Sequence, residues 1–266
     1  MDGGFPRRRV RRATSPGGQT APVPDILDAG PPAPPAAAGQ VAVAAGQVAE
    51  AEDGRPVLDL LIWDAPNIDM TLSTVIGARP TAETRPRFDA IAAWFVEGAD
   101  SDPVGAARGA AEVEACVFAN IPPVVGSLQR WVEALRGFGY AVFARPKSQP
   151  DDDIDQAMLD HIAVRTHSHR LRRLVVFSGD GRNFAEPLED LSRRGTRVVV
   201  VAFSEVAGYA ISSDLLEFID IEDVPGAFAA PLDRVRLDAL PPEGAWLRPT
   251  RSLRDFVSGF TARRNS

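Results

Sequence analysis

Residues 57–64 read VLDLLIWD and residues 174–181 read LVVFSGDG, so two runs of aliphatic residues end directly in short acidic turns. Parallel strands covered by helices on both faces have such continuous apolar runs, because neither face meets water. A third run of this kind, TRVVVVAF, occupies residues 196–203. Longer amphipathic stretches separate the runs, as in βα units. The sequence therefore predicts an α/β fold, a mostly parallel, doubly wound central sheet with helices on both faces.

Hydrophobic periodicity places the individual elements of this sheet. Strands are predicted at residues 57–63, 113–119, 140–144, 174–177, 196–203 and 217–221. Helices are predicted at residues 88–96, 123–137, 151–166, 183–194 and 207–216. A Gly-, Ala- and Asp-rich stretch at residues 98–110 is predicted to be a loop.

The two ends of the chain differ in composition from the centre. Residues 1–55 are rich in Pro, Ala, Gly and Arg and poor in large apolar residues, which predicts a disordered arm. Residues 56–224 form the predicted domain. Residues 225–266 form an amphipathic tail whose apolar residues, such as Trp246 and Leu253, we expect to dock on the domain. The arm and the tail are also the regions through which we expect any protein partner to bind.

Charge and cysteine content limit the function classes. The 266 residues include 29 Lys and Arg and 36 Asp and Glu, a net charge of −7. This is the wrong sign for a broad basic surface, so a nucleic acid must meet a local basic patch. The single cysteine, Cys116, excludes an intrachain disulfide framework and a zinc site built from several cysteines. A single cysteine suits a reducing cytoplasm, and with no apolar span of about 20 residues we expect no membrane helix.

Acidic residues follow several of the predicted strands. In an open α/β sheet the ligand crevice lies at the carboxyl ends of the strands, so these positions are the first candidates for a site. Carboxylates gathered there repel one another unless a cation lies between them. Oxygen ligands favour Mg²⁺ or Mn²⁺, which can activate water against a phosphodiester. The acidic candidates are Asp64, Asp153, Asp155, Asp180 and Asp214, with Asn67 and Ser178 beside them.

Each of these residues also has an ordinary structural explanation. Asp64 with Asn67 is typical of an Asx turn, the acidic run at residues 151–155 of a helix cap, and SGDG of a polar turn. Three cations at the same edge, Arg145, Lys147 and Arg182, are candidate phosphate contacts or simply solvated charges.

Cations and histidines between strands three and four have a different expected place. Arginines and histidines at residues 165–173 precede strand four and are expected at the opposite end of the sheet. His161 lies on the apolar face of its helix and is expected to be a hydrogen-bonded core residue.

The order of these motifs resembles the NYN domain of the PIN-like nuclease superfamily. A strand is followed by DxxN at residues 64–67, a helix opens with Ile154 and Asp155, a strand runs into SGDG followed by Phe184, and an apolar strand follows Gly195. The resemblance covers residues 57–221 and extends to Asp214 before an apolar pair. It implies a Rossmann-like PIN-type fold and metal-dependent cleavage of RNA.

The resemblance also implies roles for the acidic residues. Asp64, Asp155 and Asp180 would be the catalytic and metal-binding carboxylates, Asp214 an outer member, and Asn67 would hold the first loop or a metal-bound water. The family commonly has SGDxDF where this chain has SGDGRNF, so Arg182 and Asn183 occupy the place of a second aspartate. Asp153 is then a candidate replacement acid. Asn67, Ser178 and Asn183, with the three cations, are the candidate substrate contacts.

Two other functions remain open from the sequence. One is a PIN-like module that binds RNA or protein with weak or no catalysis, and the other is a metal-dependent phosphohydrolase of small phosphoesters.

Overall fold

Six strands form a single parallel sheet in the computed structural model, which describes residues 54–100, 111–121, 128–147, 154–237, 240–249 and 252–254. The spatial order is β3-β2-β1-β4-β5-β6, and every neighbouring pair is parallel. The strands are β1 Val57–Asp64, β2 Glu112–Ile121, β3 Ala141–Pro146, β4 Arg170–Phe177, β5 Arg197–Ala202 and β6 Glu217–Asp220. The order reverses at β1 and β4, so the crevice between their carboxyl ends is where such sheets bind ligands.

Helices cover both faces of the sheet, as predicted. They are α1 Ala65–Ile76, α2 Phe88–Asp100, α3 Leu128–Gly137, α4 Asp155–Ser168, α5 Gly181–Arg193 and α6 Gly208–Ile211, and a 3₁₀ turn spans Ile221–Asp223. Alternate residues of β1 enter two separate cores: Leu61 and Trp63 pack with α1 and α2, whereas Leu60 and Ile62 pack with α4 and α5. The α/β fold class is confirmed.

Helix α1 is absent from the sequence-based prediction. Its sequence, APNIDMTLSTVI, contains Pro, Asn and several β-branched residues, which have modest helix propensity. Asp64 caps the helix, and Ile68 and Leu72 are buried against the sheet. Tertiary packing and capping therefore form a helix that local propensity does not indicate.

Other boundaries also differ from the prediction. β4 begins at Arg170, so Arg170, Arg172 and Arg173, which are expected before the strand, lie within it, whereas Arg165 belongs to α4. Residues 98–100 belong to α2 and not to the predicted loop, whose other residues lie outside the described ones. The helix expected at residues 207–216 is limited to α6, because residues 212–216 form turns before β6.

The described part of the tail is held by apolar contacts and by charge: Ala227 is buried in the core and Phe228 and Leu232 pack against it. Arg234 is ion-paired with Asp220, Glu222 and Glu205, and Arg236 pairs with Asp223 at 2.7 Å. Trp246 is 100% exposed and Leu253 is also exposed, so the expectation that these two residues dock on the domain is wrong. The arm stays a prediction because residues 1–53 lie outside the described ones. Its last residue, Arg55, donates a hydrogen bond to the Thr166 carbonyl at 2.8 Å and so contacts α4.

No helix among the described residues combines the length and hydropathy needed to cross a bilayer.

Candidate metal-binding site at the carboxyl edge of the sheet

Asp64 lies at the centre of the candidate site, as the last residue of β1 and the N-cap of α1. Its side chain accepts a hydrogen bond from the Asn67 backbone N–H at 3.0 Å and from the Ser178 hydroxyl at 3.1 Å. The residue is only 3% exposed. Burial, together with the charges of Asp155 and Asp180, raises the pKa of Asp64 to about 7 against the lowering effect of the two hydrogen bonds. A carboxylate in this environment is stabilised by a cation.

The loop between β4 and α5 holds Asp64 from the other side. Asn67 Oδ1 accepts a hydrogen bond from the Gly179 backbone N–H at 2.9 Å, so α1 is tied to the SGDG turn. The turn needs glycine because the side chains of Val206 and Tyr209 approach it closely. A Cβ on Gly179 would lie 2.3 Å from Val206 Cγ2, and one on Gly181 would lie 2.5 Å from Tyr209 Cγ. These contacts fix the position of the turn against the loop after β5.

Asp155 is the first residue of α4 and is buried. Its Oδ2 accepts a hydrogen bond from Asn183 Nδ2 at 2.7 Å, which links the start of α4 to the first turn of α5. The charge of Asp155 also contributes to the raised pKa of Asp64. Residues 155 and 183 are thus brought to one place although they are far apart in the chain.

Asp180 is the N-cap of α5 and accepts a hydrogen bond from the Arg182 backbone N–H at 3.0 Å. The Arg182 guanidinium binds both oxygens of the same carboxylate, with Nε 3.0 Å from Oδ1 and 3.2 Å from Oδ2. These hydrogen bonds lower the pKa of Asp180 and outweigh its partial burial. The Arg182 side chain is 85% exposed, so in water this ion pair is weak and exchangeable.

The donor set fits a hard divalent ion. Asp64, Asp155 and Asp180 offer carboxylate oxygens, which Mg²⁺ and Mn²⁺ prefer over nitrogen or sulfur. Within the described part of the chain no arginine, lysine or histidine pairs with Asp64, although it is the most buried of the three. The two groups that do contact it, an amide N–H and a hydroxyl, orient the carboxylate without neutralising it.

Comparison with known proteins agrees with this architecture. The family model for the NYN domain matches residues 60–222, more than half of the chain. The chain belongs to the NYN-domain family. NYN domains are PIN-like members of a nuclease superfamily that generally uses divalent metal ions, and they generally bind RNA.

Two further comparisons add little about function. No curated protein matches the chain. A solved structure of a protein of unknown function from Vibrio parahaemolyticus is similar with a TM-score of 0.45 and 19% identity, covering 64% of this chain and 96% of that one.

Some of the site residues predicted from the sequence lie close together in the folded NYN domain, and others do not. The contacts above join Asp64 with Asn67 and Ser178, join Asp180 with Arg182, and separately join Asp155 with Asn183. Asp153 lies outside the described residues. Arg145 is the second-last residue of β3 and Lys147 follows the strand at the same edge, but β2 separates them from β1, so their backbones lie about 10 Å away from it.

Asp214 does not join the cluster, contrary to its expected place. It is exposed and precedes β6, so it lies towards the amino end of that strand. Its neighbours contact the far part of α5: Ser213 donates to Glu189 and the Leu215 carbonyl accepts from Ser192. Asp180 caps the opposite end of the same helix. The place of Asp214 follows from the order of the elements, because a residue just before a parallel strand lies at the amino edge of the sheet.

Tyr209 belongs to the site but is absent from the sequence-based candidates. Its hydroxyl donates a hydrogen bond to the Ser178 carbonyl at 3.2 Å, and its ring covers Gly181. Burial and the charges of Asp180 and Asp64 raise the pKa of Tyr209. The stretch around Tyr209 has no motif that would have indicated this role.

Proposed function

We propose that this NYN-domain protein is a metal-dependent endoribonuclease that hydrolyses RNA phosphodiester bonds. Asp64, Asp155 and Asp180 would hold one or two Mg²⁺ or Mn²⁺ ions. The observation that carries the proposal is the environment of Asp64, a buried carboxylate at the switch point of the sheet with two other carboxylates acting on it and no paired cation among the described residues.

The bound ion would supply an activated water and neutralise charge on the phosphate. The chain's own residues orient the ligands. The Ser178 hydroxyl and the Asn67 N–H fix the two oxygens of Asp64, and Asn183 fixes Asp155. Because these contacts come from three different elements, the carboxylates are held before substrate arrives, which reduces the cost of organising them.

Positive charge beside the carboxylates would contact the RNA backbone. Arg182 is exposed at the site, and Arg145 and Lys147 lie farther along the same edge. These cations are spread along the edge from β4 across β1 to β3. A polyanion can reach all of them, whereas a single phosphoester is too short to do so. This arrangement favours RNA over the small phosphoesters considered from the sequence.

A second function, a PIN-like module that binds RNA or protein without efficient catalysis, is favoured by one contact. Arg182 binds both oxygens of Asp180 and so occupies the place that an ion would take. In this case RNA binding would not require Mn²⁺. The exposed Trp246 of the tail is then a candidate contact for a protein partner. Either function belongs in the cytoplasm, where the thiol of Cys116 stays reduced.

The two functions are separated by cleavage and binding assays on the purified full chain. We expect cleavage of single-stranded or structured RNA with Mn²⁺ or Mg²⁺ and none with a chelator. Asp155→Asn and Asp180→Asn should both abolish it. Asp160→Asn is the matched control, because Asp160 is an exposed residue of α4 whose hydrogen-bond partner among the described residues is Gln156. RNA binding without metal and without cleavage would support the module and contradict the nuclease.

A further inference from the structure

A second group of metal-ligating side chains lies between β2 and α4, away from the carboxylates described above. Glu114 and Cys116 are two residues apart on β2 and therefore project from the same face of the sheet. His161 approaches them from α4. Glu114 is four residues before Phe118, which pairs with Asp64, so this group lies about 13 Å along the strand from the carboxyl edge.

The three ligand atoms form a compact triangle. Cys116 Sγ lies 3.2 Å from Glu114 Oε1 and 3.5 Å from His161 Nε2, and the Nε2 and Oε1 atoms are 2.8 Å apart. A tetrahedral zinc site with bonds of about 2.0–2.3 Å has edges of about 3.3–3.6 Å between such atoms. The two edges to sulfur are thus near the length required, and the third needs to open by about 0.5 Å.

We propose that Glu114, Cys116 and His161 form a binding site for a thiophilic divalent ion, with Zn²⁺ as the expected occupant. Sulfur, imidazole nitrogen and carboxylate oxygen are the three donors that zinc uses in proteins. Mg²⁺ and Mn²⁺ prefer oxygen, so the two sites of this chain would select different metals.

Neighbouring side chains already orient two of the ligands. Arg165 binds both oxygens of Glu114, with Nη2 2.7 Å from Oε2 and Nε 3.1 Å from Oε1, and Oε1 also faces His161 and Cys116. The Phe118 ring packs edge-on against the imidazole of His161, with centroids 5.8 Å apart. Outer contacts of this kind set the direction of metal ligands, and their loss typically weakens metal binding about 10- to 100-fold.

Metal binding must remove the proton of the Cys116 thiol. Burial and the nearby charge of Glu114 raise the pKa of this thiol, so it is protonated in the free protein. The ion would bind the thiolate as the proton leaves to solvent, while Glu114 supplies the second negative charge. The Glu114 and His161 side chains are 22% and 28% exposed, so water can reach the site and serve as a fourth ligand.

Such a site would connect the sheet to α4. Glu114 and Cys116 belong to β2, and α4 begins at Asp155, six residues or about 9 Å along the helix before His161. An ion bound to both elements stabilises the folded chain by mass action and restrains the helix that carries Asp155.

The test uses Co²⁺ as a spectroscopic substitute for Zn²⁺ on the purified, chelator-treated full chain. Because Cys116 is the only cysteine of the chain, a thiolate-to-cobalt charge-transfer band can arise only from this residue. We expect that band together with the visible absorption of tetrahedral cobalt, both lost when one equivalent of Zn²⁺ is added. Cys116→Ser should remove the charge-transfer band, and His161→Gln should weaken Co²⁺ binding by at least about tenfold.

Two control variants separate this site from other candidates. His169→Gln disrupts a similar pair, in which His169 Nε2 lies 3.2 Å from Glu112 Oε2 without a cysteine, and should leave both bands unchanged. Asp64→Asn should also keep them, because the carboxylate site contains no sulfur. The cobalt test is therefore independent of the proposed nuclease activity, and failure of the chain to cleave RNA would not change its result.

Absence of a charge-transfer band in the parent protein would overturn the proposal, and so would a band that persists in Cys116→Ser. Either result would leave Glu114, Cys116 and His161 as a hydrogen-bonded cluster only. Circular dichroism of each variant checks folding. If Cys116→Ser is unfolded, the decision passes to His161→Gln, which keeps the thiol, and unchanged Co²⁺ affinity in that variant would equally overturn the proposal.

Discussion

The two ends of strand β1 each bury an aspartate, but in opposite electrostatic settings. Near its start, Asp59 is completely buried and binds Arg172 through both oxygens, at 2.8 and 2.9 Å. Arg173 forms a second ion pair with it at 3.2 Å. At the end of the same strand, Asp64 receives an N–H and a hydroxyl but no cation from the part of the chain that is described, and the charges of two other carboxylates raise its pKa.

The neighbouring strand accounts for this difference. Arg173 of β4 lies opposite Asp59, whereas Ser178, just beyond the end of β4, contacts Asp64. A buried carboxylate costs several kcal/mol unless it is paired. The fold provides that pairing at the amino end of β1 and omits it at the carboxyl end. We infer that Asp59 has a structural role and that Asp64 is held for an ion that binds from solution.

The largest expected effect is on catalysis by the Asp64→Asn variant. Asparagine keeps the size of the side chain but loses the charge that holds the ion, so metal-dependent RNA cleavage should fall about a thousandfold or more. Initial rates at saturating Mn²⁺ measure this change. If the variant cleaves at the parent's rate, Asp64 does not hold the catalytic ion.

Asp59→Asn should have the opposite profile and mainly reduce stability. The substitution leaves Arg172 and Arg173 with an uncompensated buried charge, so the free energy of unfolding should decrease by about 3–5 kcal/mol. Urea denaturation measures the loss, and Asp64→Asn, which breaks no ion pair, is its matched comparison. Equal losses in the two variants would remove the distinction between the two ends of β1.

The pH dependence of stability should differ between the parent and Asp64→Asn when a chelator is present. The pKa of Asp64 is raised to about 7 in the folded chain from an ordinary value of 3.8, so between these values the folded state binds the extra proton. The parent should therefore lose stability relative to the variant as the pH rises from about 4 to about 7, with no further change above. If the stabilities of the parent and the variant change in parallel with pH, the raised pKa of Asp64 is contradicted. Added Mn²⁺ should restore stability at pH 7 in the parent only.

The smallest effect is expected from Arg182→Gln. Removing the guanidinium frees both oxygens of Asp180, so the Mn²⁺ concentration for half-maximal cleavage should fall a few-fold. A titration of cleavage rate against Mn²⁺ tests this, with the KM for RNA measured alongside. An unchanged metal requirement combined with a higher KM would instead assign Arg182 to phosphate binding.

Much of the fold could be predicted from the chain, because parallel strands buried on both faces carry a local pattern. The runs at 57–63 and 174–177 are strands as predicted, and the aspartates that follow them lie at one edge. Helix α1 could not be predicted in the same way, since its formation depends on Asp64 as a cap and on the burial of Leu72. Asp214 lies outside the cluster because it precedes β6 and is therefore at the amino edge of the sheet.

By itself, the amino-acid sequence determined the doubly wound sheet and the succession of acidic turns at its strand ends, because both follow from short-range patterns of apolar and polar residues. Only the tertiary structure decided which carboxylates are neutralised. The pairing of Asp59 with Arg172, the isolation of Asp64 from cations within the described residues and the meeting of Glu114 with His161 all depend on strand register and helix placement. These join residues that are roughly 50 to 110 positions apart, a separation at which no local pattern specifies the partner.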